Sequence, residues 1–110
     1  MHQLKQIPSV EASLKWEQIA GFLRKSIFDE DVEGYLQFLR AQTISDLNQI
    51  WELSKEGEIF GYALTTSYPS RNNEWIGRVN IAAGEGLEDM RRMIALYENW
   101  AKKNGIKKIE

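Results

Sequence analysis

The stretch Trp75–Glu110 reads WIGRVNIAAGEGLEDMRRMIALYENWAKKNGIKKIE, and its periodicity changes twice. From Trp75 to Ala83 the residues alternate. Trp75, Gly77, Val79 and Ile81 fall on one side, and Ile76, Arg78, Asn80 and Ala82 on the other, the period of a strand. Gly84 and Gly86 then sit one residue apart, the grammar of a phosphate-cradling turn, but Glu85, Glu88 and Asp89 make its rim acidic. From Leu87 to Lys103 the period becomes helical. Leu87, Met90, Ile94, Tyr97 and Ala101 step by three and four, with Met93 and Trp100 widening the stripe. Glu88 and Asp89 suit the positive end of this helix, and Lys102 and Lys103 its negative end. Asn104-Gly105 is a strong stop, with Gly105 the natural left-handed cap. Ile106–Glu110, IKKIE, begins a further strand. Strand, helix and strand over this length require a crossover, which predicts that the last strand lies parallel to Trp75–Ala83.

Upstream, Gln49–Leu53 and Glu58–Thr66 are rich in aromatic and apolar residues, and SKEGE (Ser54–Glu58) between them is a hairpin signal with Gly57 free to take positive φ. SYPSRNNE (Ser67–Glu74) is a second turn. Gln49–Ala83 therefore reads as a three-stranded antiparallel meander. Gln3–Ile7 suits a short first strand ended by Pro8. Ser9 or Ser13 caps a helix expected to reach about Ile27, with Trp16, Ile19, Ala20, Leu23 and Ile27 in one stripe. Asp29 or Asp31 starts a second helix, on which Val32, Tyr35, Leu36 and Leu39 share a face. The expected class is α+β in the order β-α-α-β-β-β-α-β, forming a single domain over residues 1–110.

Composition narrows the function classes. The chain has 110 residues, 43% hydrophobic and 27% charged, enough for one packed core. A formal charge of −2, with no strongly basic face, gives nothing to draw in nucleic acid or an anionic membrane. There is no Cys, and His2 is the single histidine, so neither thiolate chemistry nor a transition-metal site is expected. No leader or long apolar span is written in the chain, and a cytoplasmic location is expected. No Ser/His/Asp, Cys/His or paired-carboxylate arrangement supports a hydrolase.

Taken together, the two N-terminal helices, the hairpin IWELSKEGEIFGYALTTSYP, the strand WIGRVNIA, the Gly-x-Gly turn and the exit ENWAKKNGIKKIE resemble the GNAT superfamily of acetyl-CoA-dependent N-acyltransferases over nearly the whole chain. In pattern the chain is similar to small GNAT-like proteins of tailed bacteriophages. The resemblance implies that the pantetheine arm enters a splay between the fourth and fifth strands. It also implies that backbone N–H groups of a [Gln/Arg]-x-x-Gly-x-[Gly/Ala] turn bind the pyrophosphate at a helix start, where unpaired N–H groups and the helix dipole favour an anion. Gly84 and Gly86 match the two small residues, whereas the basic or amide position falls on Ile81. Two like charges ~5 Å apart repel by roughly 1–3 kcal/mol, so the acidic rim opposes such a ligand, and Arg91 and Arg92 offset part of this. Acidic residues in a first helical turn are also ordinary helix stabilisers.

The resemblance also raises the question of catalysis. Members of the family continue past the fifth strand with a helix carrying a tyrosine acid, and this sequence stops at Glu110. For the general base the resemblance leaves Glu74 and Glu52 as weak candidates, each more readily read as a solvated strand residue. The expectation is a truncated, non-catalytic GNAT-like domain acting by protein contact, as a phage virion or accessory protein in the host cytoplasm or the virion. An acetyl-CoA-dependent N-acyltransferase is the alternative, and a small acidic inhibitor of a host or defence protein a further one. The edge Ile106–Glu110 is expected to pair with a second copy or another protein. Trp51, Trp75 and Trp100 read as core or pocket aromatics.

Overall fold

Five strands form one mixed sheet in the order β1-β2-β3-β4-β5. A computed structural model describes residues 2–110 as β1 (His2–Ile7), α1 (Ser9–Leu14), α2 (Trp16–Leu23), a 3-10 turn (Arg24–Ser26), α3 (Val32–Ile44), β2 (Gln49–Lys55), β3 (Glu58–Pro69), β4 (Trp75–Gly84), α4 (Leu87–Lys103) and β5 (Ile106–Ile109). The first four strands run antiparallel and β5 lies parallel to β4, as the crossover argument requires.

The sheet separates two apolar layers. On one face Ile50, Tyr62, Leu64 and Ala83 pack against Ala12 of α1, Trp16, Ile19, Ala20 and Leu23 of α2, and Leu36 and Leu39 of α3. On the other, Trp51, Leu53, Ala63 and Ala82 receive Met93 and Tyr97 of α4. Trp51, Tyr97 and Trp100 form an aromatic group with ring centroids 4.8–5.8 Å apart. Trp51 and Trp100 therefore belong to the core layer, while Trp75 is half exposed at the start of β4.

Local chemistry sets the element ends. Glu56 (φ 53°) and Gly57 (φ 84°) both take positive φ, the two-residue turn that a tight hairpin favours. Asp31 caps α3, its carboxylate accepting the Gly34 N–H at 2.9 Å. Gly105, at φ 78°, ends α4 in the left-handed region.

Two expectations are corrected. The single helix reaching Ile27 is two helices broken at Lys15, followed by a 3-10 turn. Lys15 leaves helical geometry (φ −112°, ψ 24°), and its ammonium reaches across to Glu52 at 2.7 Å. Ile27 is extended yet still packs on the same core, which is why the apolar stripe ran on past the helix end. The strict alternation along Trp75–Ala83 also fails. Leu64 pairs with Ile81 and Thr65 with Val79, so Asn80 is an extra residue, a β-bulge. Val79 faces α4 while Ile81 joins the opposite core, reversing the pattern beyond the bulge.

Candidate functional site

The bulge at Asn80 coincides with a change at the outer edge of β4. The β4–β5 ladder covers only Trp75–Gly77 against Ile106–Ile109. Beyond it the Glu110 N–H donates to the Gly77 carbonyl at 2.8 Å, and the Val79 N–H to the Glu110 carbonyl at 3.4 Å. From Asn80 to Gly84 no described strand pairs with that edge of β4, so the two parallel strands part there. An extended group laid along this edge would meet main-chain donors and acceptors with no ladder partner.

The opening leads into the Gly84–Gly86 turn. The Glu85 N–H is occupied by the Phe60 carbonyl at 3.0 Å. Gly86 is the N-cap of α4 and contributes no side chain, and the first i to i−4 bond runs from the Met90 N–H to Gly86. The N–H groups of Leu87, Glu88 and Asp89 thus head a helix of 17 residues without intrahelical acceptors. The two glycines differ. A Cβ on Gly84 would lie 3.0 Å from Asp89 Cβ and 3.4 Å from the Phe60 carbonyl oxygen, so close packing of α4 requires a small residue there. A Cβ on Gly86 would meet nothing within 4 Å, so the space above the helix start is open.

The acidic rim is partly turned aside. Asp89 points toward β1, with its carboxylate 3.7 Å from His2 Nε2. Glu88 lies 3.4 Å from Arg92 on the exposed side of α4. Leu87, Arg91 and Ala95 continue the shallow groove that these two residues border. Among the described residues only Glu85 of the three acids has no ion-pair partner.

Glu52 and Glu74 are placed elsewhere. Glu52 lies on β2, two strands from β4 and roughly 10 Å away across the sheet. Its Oε2 accepts from Lys15 Nζ at 2.7 Å and from the Tyr62 hydroxyl at 2.9 Å, and Gln18 Nε2 donates to that hydroxyl at 3.2 Å. The hydrogen bond to Glu52 holds the Lys15 ammonium above its ordinary range despite its partial burial. Burial, followed by the bond to Glu52, pushes the Tyr62 phenol up as well. Glu52 is thus committed to an ion pair between β2, β3 and the α1–α2 break. Glu74 is exposed in the turn before β4, where its N–H and carbonyl both bond Ser70. Ten strand positions separate it from Gly84, about 33 Å. The structure therefore brings Gly84 and Gly86 to the mouth of the opening, and neither carboxylate with them.

The residues that do border the opening escaped the sequence reading. Asn80 lies between two recesses on the α1–α3 face, one with Ile27, Phe28, Asp29, Tyr35 and Ile81, the other with Tyr35, Phe38, Gln42, Thr66 and Arg78. The one signal available was an Asn inside an apolar strand, a residue strands disfavour. Among the described residues no three His, Cys, Asp or Glu side chains converge to hold a metal ion, and no helix is long and apolar enough to cross a membrane.

Known structures carry the same architecture. The chain superposes on a ribosomal-protein-alanine N-acetyltransferase from Brucella melitensis biovar Abortus with TM-score 0.73 and 9% identity, over 99% of this chain and 77% of that one. The fold is that of the GNAT acetyltransferases. A GNAT family acetyltransferase from Staphylococcus aureus gives 0.71 at 17% identity, covering 98% of this chain and 83% of the other. An aminoglycoside acetyltransferase from an uncultured soil metagenomic sample gives 0.72 at 15% identity, covering 100% and 78%. At such identities the likeness is one of fold. No protein-family model and no curated protein sequence matches the chain. The parting of β4 from β5 and the Gly84–Gly86 turn at the α4 N-terminus lie where the resemblance led one to expect a splay and a glycine turn.

Proposed function

We propose that the chain binds an acyl-CoA in the opening beside β4 and transfers its acyl group to an amine. The observation that carries this reading is the unpaired outer edge of Asn80–Gly84 running directly into the α4 N-terminus. The β4 edge offers main-chain groups to the amides of the pantetheine arm. The N–H groups of Leu87, Glu88 and Asp89 and the helix dipole face the pyrophosphate. Gly86 leaves the room this requires, and Asp89 is drawn off toward His2. The thioester supplies an activated carbonyl carbon. The amine nitrogen forms a C–N bond to it as the C–S bond breaks, and the proton lost from nitrogen ends on the CoA sulfur. Neither Glu52 nor Glu74 stands at the bulge to take that proton directly, so water or the departing thiolate serves as proton acceptor. Acetyl-CoA titrated into the protein in a calorimeter tests the reading: saturable binding supports it, and no heat at millimolar ligand ends it.

A second reading, non-catalytic work through protein contact as in a virion or accessory protein, is favoured by one observation. The outer edge of β5 has no strand partner among the described residues, and Ile109 at that edge is only partly covered. A second copy adding its β5 would extend the sheet. Light scattering distinguishes the cases: a stable dimer supports this reading, and a monomer at high concentration removes it.

A further inference from the structure

Three helices cover the face of the sheet opposite α4, and their outer surface carries apolar side chains that nothing in the chain covers. On α1, Ala12 is buried, while Val10 and Leu14, one helical turn apart, are 71% and 85% exposed. Ile44, the last residue of α3, is 51% exposed beside them, and the three line one shallow depression with Ser9 and Ser13. Together they leave roughly 350 Å² of apolar surface in water, within the range of the largest such patch on an ordinary monomer, which is often functional.

Ile44 also lines a groove between α2 and α3, so the patch runs into it. Trp16, Ala20 and Leu36 form the groove's buried floor. Arg24 and Glu33 join its two walls by a two-bond fork, Nε to Oε1 at 2.9 Å and Nη2 to Oε2 at 3.2 Å. Two charges are left over. Glu17 stands exposed on the α2 wall and Arg40 exposed on the α3 wall, and among the described residues neither has an ion-pair partner. The neighbouring charges are matched within the chain, Lys15 to Glu11 and Glu52, and Arg24 to Glu33. An apolar face with one unmatched acid and one unmatched base is complementary to itself. A two-fold axis between them brings each Glu17 to the partner's Arg40, and the symmetry repeats the pair.

Size is consistent with the same occupant. A stable homodimer interface covers ~800 Å² of each partner, about two-thirds of it apolar. The layer of α1, α2 and α3, on a molecule 37 × 33 × 26 Å across, is wide enough to supply it. We propose that a second copy of this chain docks on this face about a two-fold axis, with Val10, Leu14 and Ile44 covered by the partner's α2–α3 groove and Glu17 paired with Arg40 across the interface. The face lies on the other side of the sheet from α4 and is not the β5 edge, so the contact is independent of both functional readings.

The test is sedimentation equilibrium of the whole chain and of its variants. The expected result is a dimer at micromolar concentration. Leu14→Arg, at an 85% exposed position where folding is not at stake, is expected to weaken it by at least about tenfold. Glu17→Arg and Arg40→Glu each set like charges together across the axis and are each expected to weaken it severalfold. The double variant, with both charges exchanged, is expected to return to within about threefold of wild type. Three results overturn the proposal: a chain that stays monomeric at about 1 mM, a dimer as tight in Leu14→Arg as in wild type, or a double variant no tighter than the single ones. The second of these is also the result that a dimer formed through the β5 edge would give, whereas a dimer lost in Leu14→Arg and restored by the charge exchange is the one proposed.

Discussion

At the scale of single residues, the glycines of the two-strand junction separate packing from binding. Gly77 lies under the Tyr97 hydroxyl, and a Cβ there would approach it to 2.5 Å. That hydroxyl is buried with Thr65 and Ser67 nearby but out of hydrogen-bond geometry, and burial raises its pKa. Gly77→Ala should therefore cost about 1–3 kcal/mol in urea denaturation, and Gly86→Ala less than about 1 kcal/mol, since its Cβ meets open space. Glu52 gives a pH-linked prediction. Lys15 and Tyr62 both have folded pKa values above their ordinary 10.5 and 10.0. The folded state therefore holds protons that the unfolded chain has already lost. That stability is fully present below pH 10 and falls as pH rises through the folded values. Urea denaturation between pH 8 and 11 should show this alkaline loss, and Glu52→Gln should reduce its slope while lowering stability near pH 8 by about 1–3 kcal/mol. A slope unchanged in Glu52→Gln would show that the pair does not govern it.

At the scale of elements, the caps are the most exposed to test. Asp31→Ala removes the acceptor for the Gly34 N–H and should cost about 1 kcal/mol. Gly105→Ala forces a side chain into φ 78° and should cost about the same. Both are read from thermal midpoints, and neither should alter ligand binding. Gly105 was legible in the sequence because a left-handed cap needs a particular residue, whereas the α3 cap was narrowed only to Asp29 or Asp31. Leu87–Lys103 was legible to its end residues for the same reason, bounded by a glycine on each side. The break at Lys15 was not, because a helix interrupted by one residue keeps its apolar stripe, and the side chain at the break pairs with a residue 37 positions away. The bulge at Asn80 was equally hidden. One inserted residue changes no composition and leaves each flanking run alternating. It is visible only once β3 supplies the register. The pair Gly84 and Gly86 was legible as a turn at the mouth of the opening. The recess beside Asn80 was not, since it joins the α2–α3 connection to β4 across some fifty residues of chain.

At the scale of the whole molecule, the decisive discontinuity of the sheet lies where β4 parts from β5. Where β4 and β5 pair, α4 crosses back with Tyr97 and Trp100 packed on Trp51 of β2. Where they part, the bulge, the unpaired edge and the α4 N-terminus follow one another along the chain. Filling that gap with ligand should stabilise the fold as a unit, because α4 contributes to both the site and the core. A ligand at 100 times its dissociation constant stabilises by about 2.7 kcal/mol. For a domain of this size each kcal/mol raises the midpoint by roughly 4–8 °C. The most direct test is thermal unfolding with and without millimolar acetyl-CoA. Acyl-CoA binding beside β4 is expected to raise the midpoint by about 10 °C or more at saturation, and an unchanged midpoint at that concentration would contradict it.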